Sequence, residues 1–206
     1  RTIIWERCDK MNRREYSAGA VKFSFWFMEF KAVVKLLSEG MTLDEIKEKN
    51  QKENIFGAPT TLRAGQILSA RIKALDASFY PVFMESDLAT QKLFALASAM
   101  AHDTLFFDFV YDVVREKMII GNNEFSDSDI SIFFKNKQLQ DEKVAKWTDA
   151  TLNRLGRTYK TMLFEAGMTD KGTPRTILKP IFDPVMEHWL FEHDMEPIAK
   201  ALTGVR

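Results

Sequence analysis

The stretch FSDSDISIFF, residues 125–134, marks a helix start from which the C-terminal part of the chain can be traced. Ser126 stands at the N-cap, and Asp129, three residues later, stands at the acidic position of a capping box. Apolar residues on either side of the cap, Phe125 and Ile130, occupy the two positions of a hydrophobic staple. We therefore expect a helix over Asp127–Asn136, ended by the polar stretch that follows.

Two further helix starts follow within 25 residues. Asp141 can cap a short helix, and Thr148 can cap a longer one, DATLNRLGRTYKTMLFEA, at positions 149–166. Gly167 then stops the longer helix by adopting the left-handed conformation. A helix, a short helix, a turn and a longer helix follow the helix-turn-helix order.

The longer helix has two unlike faces. On a helical wheel, Thr151, Leu152, Leu155, Tyr159, Met162 and Leu163 share one side. The opposite side carries Asn153, Arg157 and Lys160, with Arg154 at its edge, and we call these four residues the basic face. Because Arg and Asn have bidentate partners on base edges in the major groove, this face predicts contact with duplex DNA. One alternative is that this face is merely solvated. Another is a protein contact, because helix-turn-helix geometry also serves that role.

The residues after Gly167 predict a wing. Asp170–Pro174 has the composition of a tight turn, and Arg175–Leu178 has that of a short extended segment. A hairpin there would carry Lys171 and Arg175 at its tip, where cations can hold phosphates.

The charge balance requires any nucleic-acid surface to be local. The chain has 206 residues, 46% of them hydrophobic, and its 29 basic and 29 acidic residues give a net charge of zero. Phosphate-binding proteins usually carry a concentrated positive patch, so the acidic residues must lie elsewhere. In sequence they do, in two groups: Asp103, Asp108, Asp112 and Glu116, then Asp183, Glu187, Glu192, Asp194 and Glu196.

The N-terminal half predicts a second set of helices. Residues 1–15 form a basic tail. Ala20–Glu39 has the composition of an apolar helix that ends at Gly40. Thr42 and Glu45 then form a capping box that starts a short helix. Thr60 can cap the next helix, 61–75, which completes a second helix-turn-helix-like order. Its exposed side is less basic, so a role in the core is favoured, and DNA contact through Arg63 or Lys73 is the alternative.

A closely joined helix pair connects the two halves. Asp87 caps a helix to about Ala101, and Asp103 caps another that ends at Gly121. After the wing, Pro184 and Pro197 open the last two helices. We predict a mainly α, helical bundle with helix-turn-helix or winged-helix-like units and a short β wing near the C-terminus. The predicted units are a mobile tail (1–15), an N-terminal helical domain (16–86), a connecting pair (87–122) and a C-terminal winged-helix-like domain (123–206).

Residue patterns for catalysis, cofactors and membranes are not found. The sequence contains no glycine-rich phosphate loop, nucleophile elbow or paired-cysteine metal pattern, and its one cysteine, Cys8, allows no internal disulfide. His188 and His193 are five residues apart, on different helix faces, and His102 beside Asp103 fits a structural role at a helix junction. With neither a signal peptide nor a membrane span expected, we predict a cytoplasmic protein that is not an enzyme and needs no metal or cofactor.

From Tyr16 onward the chain resembles the BrxA family of BREX bacteriophage-defence systems. The resemblance rests on YSAG (16–19) before the apolar helix, EGMT (39–42), ENIF (53–56) leading to Arg71, and WTDATLNRLGRTYKTMLFEAGM (147–168). It covers almost the whole chain except the basic tail. It implies a mostly helical protein encoded with a methyltransferase, a large ATPase and a phosphatase-like protein. Family members look like helix-turn-helix or winged-helix DNA-binding proteins, and the family is also similar to the RNA-binding antitermination factor NusB.

We predict a non-enzymatic double-stranded DNA-binding component of such a system, with weak sequence preference and strong salt dependence. Two alternatives stay open. One is an interaction module, in which the aromatic N-terminal helix and the acidic helices bind other BREX proteins. The other, which follows the NusB likeness, is RNA binding.

Overall fold

The computed structural model describes residues 13–22, 24–53 and 62–205, apart from the side chains of Lys22 and residues 62–64. The helices are α1 (Phe27–Ser38), α2 (Leu43–Glu53), α3 (Leu62–Ile72), α4 (Phe79–Glu85), α5 (Leu88–His102), α6 (Thr104–Phe109), α7 (Glu116–Ile119), α8 (Asp127–Gln140), α9 (Glu142–Ala145), α10 (Asp149–Glu165), α11 (Pro184–Glu192) and α12 (Glu196–Thr203). A 3-10 helix (Ala18–Lys22) precedes α1, and a π-helical segment (Val110–Arg115) joins α6 to α7. The strands are β1 (Glu124–Phe125) and β2 (Arg175–Thr176).

The predicted fold class is confirmed, since the protein is mainly helical and its described residues contain one small antiparallel sheet. The buried apolar side chains form one continuous cluster from Ala20 to Leu202. Trp189 on α11, for example, contacts the rings of Phe79 on α4 and Phe94 on α5. Helices from both ends of the chain therefore share a core, and the predicted division into domains stays a prediction.

Helix caps are placed where the sequence predicts them. The predicted caps whose side chains accept a backbone N–H in the first turn of a helix are Thr42, Asp87, Asp103, Ser126, Asp141 and Thr148. Asp183, which was not predicted as a cap, accepts from the Val185 N–H at the start of α11 in the same way. Ser126 and Asp129 form the full capping box, and Gly167 has the expected left-handed φ of 83°. Each such cap contributes about 1 kcal/mol. Thr60, the remaining predicted cap, lies outside the described residues.

The predicted apolar helix Ala20–Glu39 is wrong in its first part, where the 3-10 helix and a break precede α1. Trp26 has a φ of 50°, in the left-handed region, so a right-handed helix cannot run through it. The carbonyl oxygens of Ser24 and Phe25 instead accept hydrogen bonds from Nη1 of Arg71, at 3.0 and 3.2 Å. A long-range contact therefore replaces helical hydrogen bonds at this point.

α8 is longer than the sequence predicts, since it ends at Gln140 and not near Asn136. Lys137, in the polar stretch taken as an interruption, is 4% exposed. Its Nζ donates to Oδ2 of Asp108 at 2.6 Å. A charged residue paired inside the core thus extends the helix by one turn.

The predicted wing is only partly a hairpin. The Asp170 N–H donates to the Thr176 carbonyl at 3.1 Å, so the chain does turn back on itself over Asp170–Pro174. The strand partner of β2, however, is β1, which precedes α8, and not the segment before the turn. An isolated bridge, Thr169 to Ile177, joins the two arms of the turn. The winged-helix detail of the prediction stays a prediction.

Two helical segments were not anticipated. α4 contains Pro81 and has no side-chain cap at Ser78, so its sequence lacks the usual start signal. The π-helical segment interrupts the second helix of the predicted connecting pair. Within the described ranges no single helix is long and apolar enough to cross a membrane. α5 and the helical stretch Thr104–Ile119 together have sufficient length and composition, but they are bent by 113°.

Candidate nucleic-acid interface

α10 is held in place by an apolar face that enters the core. Thr148 caps its first turn through the Thr151 N–H at 3.3 Å. Tyr159 is completely buried, and its ring centroid lies 4.8 Å from that of Phe106 and 5.5 Å from that of Phe109. The helix is therefore anchored along its length, and its opposite side faces solvent at a fixed orientation.

The exposed side of α10 carries three residues of the basic face. Asn153, Arg154 and Arg157 are exposed. Neither guanidinium group has an ion pair or a side-chain hydrogen bond with any residue that the structure describes. Two cations in adjacent turns are thus available to an anionic partner. This is the arrangement on which the DNA-binding prediction depends.

Lys160, the fourth residue of the basic face, forms an ion pair within the protein. Its Nζ donates to Oδ1 of Asp127, the first residue of α8, at 2.5 Å. Lys160 is half-buried, whereas 71% of the Asp127 side chain is exposed. The pair lowers the net charge of this end of the face, so Lys160 is a weaker candidate for phosphate contact than Arg154 or Arg157.

A groove of about 540 Å³ runs between α8 and α10. The two helices approach closely at Gly156, where an added Cβ would lie 2.9 Å from Cγ2 of Ile130. The cationic residues that line the groove are Lys135, Arg157 and Lys160, and the acidic ones are Asp127 and Asp149. The groove gives the exposed side of α10 a concave border that could follow a phosphate backbone.

Lys135 was missed in the sequence. It is exposed on α8, and no ion pair involves it in the described part of the chain. Lys135 lies near the end of the predicted helix, whereas α8 continues for five more residues beyond it. A usable signal was its spacing from Ser131 and Gln138, which share one helix face with it and also line the groove.

Lys171 lies near the C-terminal end of the same side of α10. Its Nζ is 4.5 Å from the ring centroid of Phe164, seven residues after Arg157 on the same helix face. This cation–π contact holds an exposed lysine beside the helix. Lys171 therefore lies beside the C-terminal end of α10, and its part in a common surface with Arg157 stays a prediction.

Arg175, the other predicted wing residue, has a structural contact. Its Nη1 donates to the Asp170 carbonyl oxygen at 2.7 Å, and the side chain is half-buried. Asp170 Oδ1 accepts from the backbone N–H groups of Gly172 and Thr176 in the same turn. These hydrogen bonds hold the pKa of Asp170 below its usual value. The positive charge of Arg175 lowers this pKa to a smaller extent. Arg175 thus shapes the turn that presents Lys171.

The second helix-turn-helix-like unit gives little support for a further interface. Lys73 is exposed just beyond α3. The side chain of Arg63 lies outside the described residues. Arg71 of the same helix is buried. DNA contact by Arg63 or Lys73 stays a prediction.

His188 and His193 make contacts with neighbouring side chains and backbone in the fold. His188 lies 3.1 Å from Glu192 on α11. His193 contacts the Trp189 carbonyl at 2.7 Å and the Ser78 hydroxyl at 2.9 Å. Within the ranges given above, no group of three or more His, Cys, Asp or Glu side chains is arranged to hold a metal ion.

Comparison with protein families gives a match over most of the chain. The family described as BrxA matches residues 14–194. A curated relative, "BREX protein BrxA" from Bacillus cereus (strain H3081.97), is 41% identical over 168 residues, which are 79% of this chain and 84% of the relative. Another "BREX protein BrxA", from Paramagnetospirillum magneticum, is 24% identical over 184 residues, or 86% of this chain and 92% of the relative.

A solved structure has the same fold. It is the crystal structure of an uncharacterized protein from Magnetospirillum magneticum, with a TM-score of 0.80 and 20% sequence identity. The superposition covers 93% of this chain and 100% of the solved one. At this identity the likeness concerns the fold alone.

Proposed function

The chain belongs to the BrxA family and is thus a component of a BREX phage-defence system, and from this premise we propose that it binds double-stranded DNA without catalysing a reaction. The observation that carries the proposal is the pair Arg154 and Arg157, exposed on α10 and without a carboxylate partner among the described residues. Asn153 lies beside them, and Lys135 and Lys171 extend the cationic surface on either side.

The dimensions of α10 suit a major groove. Its 17 residues correspond to about 25 Å of helix, and the major groove of B-form DNA, about 12 Å wide, accepts one α-helix. Guanidinium groups at successive turns can reach phosphates on one strand, whereas Asn153 is the main candidate for a base edge. A surface with several phosphate contacts and few base contacts gives weak sequence preference.

The neutral total charge is compatible with this surface. The acidic residues near the C-terminus lie on or beside α11 and α12, whose main packing partners are α4, α5 and the π-helical segment. The carboxylates that line the α8–α10 groove are Asp127, which is paired with Lys160, and Asp149, and Glu165 interacts electrostatically with Lys171. Arg154, Arg157, Lys135 and Lys171 leave a local excess of positive charge.

The test is a salt titration of duplex affinity with a matched control. If about four cations contact phosphates, log K against log salt should have a slope near −3.6. The variant Arg154→Ala/Arg157→Ala should bind at least about tenfold more weakly at low salt, with a slope smaller in magnitude by about two. The control Lys35→Ala/Lys47→Ala removes the same charge from α1 and α2 and should leave affinity and slope unchanged.

Unchanged affinity in the arginine variant, or an equal loss in the control, would show that α10 is not the interface. The same titration with RNA tests the likeness to the antitermination factor. If RNA binds more tightly than duplex DNA, RNA and not DNA is the partner.

A second candidate function, binding of other BREX proteins, is favoured by an apolar groove of about 670 Å³. Met28 on α1 and Leu88 on α5 line it and are 70% and 56% exposed. Half-buried Trp26, Phe27 and Phe164 complete its apolar surface. Exposed apolar side chains gathered in one groove are typical of a protein-binding site.

The two functions can be separated by salt and by mutation. A complex made through the apolar groove should persist at high salt and be lost in Met28→Glu/Leu88→Glu, whereas duplex binding weakens steeply with salt. The arginine variant should retain the protein complex. Capture of BREX proteins that is lost in the arginine variant, and retained in the groove variant, would contradict a role for the groove.

A further inference from the structure

A small cavity separate from the basic face lies where the 3-10 helix, α3, α5, α6 and α10 meet. Its volume is about 200 Å³. Ala99, Phe106 and Met162 supply apolar walls, and Arg71 and Asp103 supply charges of opposite sign. A mostly apolar cavity with a few converging polar groups is the usual form of a small-molecule site.

Arg71 presents unused donors to this cavity. It is 3% exposed, and its Nη1 donates to the carbonyl oxygens of Ser24 and Phe25. The other edge of the guanidinium group, Nε and Nη2, makes no hydrogen bond to a described residue. Burial lowers the pKa of Arg71 to about 10. That edge has the fork geometry that binds a carboxylate through two parallel hydrogen bonds.

Asp103 presents an unused acceptor to the same cavity. Its Oδ1 accepts from the backbone N–H groups of Leu105 and Phe106 at the start of α6, whereas Oδ2 has no partner in the described part of the chain. Burial raises the pKa of Asp103 to about 6, despite those hydrogen bonds and the influence of Arg71. Arg71 and Asp103 do not form an ion pair with each other. Arg71 is thus buried and Asp103 half-buried beside the cavity, each without a counter-ion in contact among the described residues.

We propose that this cavity binds a small zwitterion, an α-amino acid with a short side chain. Its carboxylate accepts from the free edge of Arg71, and its ammonium group donates to Oδ2 of Asp103. Its side chain packs against Phe106 and Met162. Such a ligand supplies the counter-ion that Arg71 and Asp103 each lack.

The size of the cavity restricts the ligand. One water occupies about 30 Å³ in the liquid, so 200 Å³ corresponds to roughly seven non-hydrogen atoms. Alanine, serine and valine are near this size, whereas aromatic amino acids and nucleotides are too large.

The mouth of the cavity adds no competing buried charge. Arg14 Nη1 lies 2.8 Å from His102 Nδ1 at the rim. Burial, together with Arg14 and Arg71, lowers the pKa of His102 to about 4, so the imidazole is neutral at pH 7. Glu15 also lines the mouth, but it is exposed and paired with Lys143. Of the charged residues that line the cavity, Arg14 and Glu15 are exposed at its rim, whereas Arg71 is buried and Asp103 half-buried.

The test is calorimetric and thermal-shift titration of the full chain with L-alanine, L-serine and L-valine at millimolar concentrations. At least one of them should bind saturably and raise Tm, since a ligand that binds only the native state stabilises it. Propionate, which lacks the ammonium group, and ethylamine, which lacks the carboxylate, should bind at least about tenfold more weakly than alanine, because propionate leaves Asp103 unpaired and ethylamine leaves Arg71 unpaired.

Two variants test the site itself. Asp103→Asn retains an N-cap side chain for α6 but loses the charge, so it should fold and bind the amino acid at least about tenfold more weakly. Ala99→Leu fills the cavity without changing a charge and should abolish binding. The proposal is overturned if none of the three amino acids binds the folded protein, if the monofunctional analogues bind equally well, or if Asp103→Asn retains full affinity.

Discussion

Asp108 and Lys137 form an ion pair of 2.6 Å in which the two side chains are only 6% and 5% exposed. The pair joins α6 to α8. Asp108 also accepts hydrogen bonds from Arg13 Nη2 at 2.9 Å and from the Tyr16 hydroxyl at 2.5 Å. Burial lowers the pKa of Lys137, but Asp108 and its neighbours raise it by more, so the lysine remains charged. One carboxylate thus fixes three separate parts of the chain to each other.

Removing either partner of this pair should be destabilising. Asp108→Asn leaves the Lys137 ammonium without its main partner, and Lys137→Met leaves Asp108 with Arg13 and Tyr16. Asp108→Asn should lower the free energy of unfolding by about 3 to 5 kcal/mol, because the buried ammonium group then keeps only Asp112, at 3.4 Å, as an ionic partner. Lys137→Met should lower it by less, because Asp108 remains paired with Arg13. Urea unfolding followed by circular dichroism measures the loss.

The double variant Asp108→Asn/Lys137→Met should lose less than the sum of the two single losses. Additive losses would show that the pair itself contributes nothing. Lys35→Met, which removes an exposed partner of Glu39 at 4.0 Å, is the control and should change stability by less than about 1 kcal/mol.

Asp103 should make stability depend on pH. Its pKa is about 6 in the folded protein, raised by burial, and about 3.9 in the unfolded chain. The folded state therefore holds the proton more tightly, and this contribution to stability is fully present below pH 3.9 and lost as pH rises through 6. Asp103→Asn should consequently gain stability relative to the parent protein, by roughly 2 to 3 kcal/mol, between about pH 4 and pH 7.

Parallel urea titrations of the two proteins across this pH range measure the difference in their free energies of unfolding. No amino acid is added to the samples. His102 titrates in both proteins, so its effect cancels in the comparison. If the free energies of unfolding of the two proteins differ by a constant amount from pH 4 to pH 7, Asp103 has an ordinary pKa in the folded state.

Gly156→Ala should destabilise the protein, although alanine is the better helix former. Its Cβ would lie 2.9 Å from Cγ2 of Ile130, so α8 and α10 must separate or Ile130 must move. We expect a loss of about 1 to 3 kcal/mol, typical of an overpacked contact. The matched control is Gly65→Ala in α3, where a Cβ meets nothing within 4 Å and a gain of about 0.5 to 1 kcal/mol is expected. Equal gains in both variants would contradict the close approach of α8 and α10.

Local signals explain what could be predicted from the sequence. A capping box such as Ser126 with Asp129 involves atoms three residues apart, so its geometry follows from the sequence directly. The break at Trp26 does not, because it is stabilised by Arg71, which donates to carbonyls more than 40 residues earlier. Likewise, the end of α8 was misplaced because the partner of Lys137 lies 29 residues away.

The same distinction holds for the candidate interface. The wheel of α10 separates Arg154 and Arg157 from the buried residues because helical periodicity is a local property. The pairing of Lys160 with Asp127 spans 33 residues, and the contact of Arg175 with the Asp170 carbonyl depends on the path of the turn. The sequence therefore predicted which residues share a surface, but not which of them are already paired.

Asp127→Asn should strengthen duplex binding if the basic face contacts phosphates. The change frees Lys160, whose Nζ is 2.5 Å from the Asp127 carboxylate, and removes a negative charge from the edge of the α8–α10 groove. One additional phosphate contact should increase affinity by about threefold to tenfold at low salt and make the slope of log K against log salt steeper by about 0.9. The loss of a carboxylate from the first turn of α8 costs about 0.3 to 1 kcal/mol of stability, which leaves the protein folded.

Glu39→Gln changes the net charge equally at the end of α1 and serves as the control, measured in the same anisotropy titration. An equal increase in both variants would indicate an effect of total charge, whereas no increase in either would place Lys160 outside the interface.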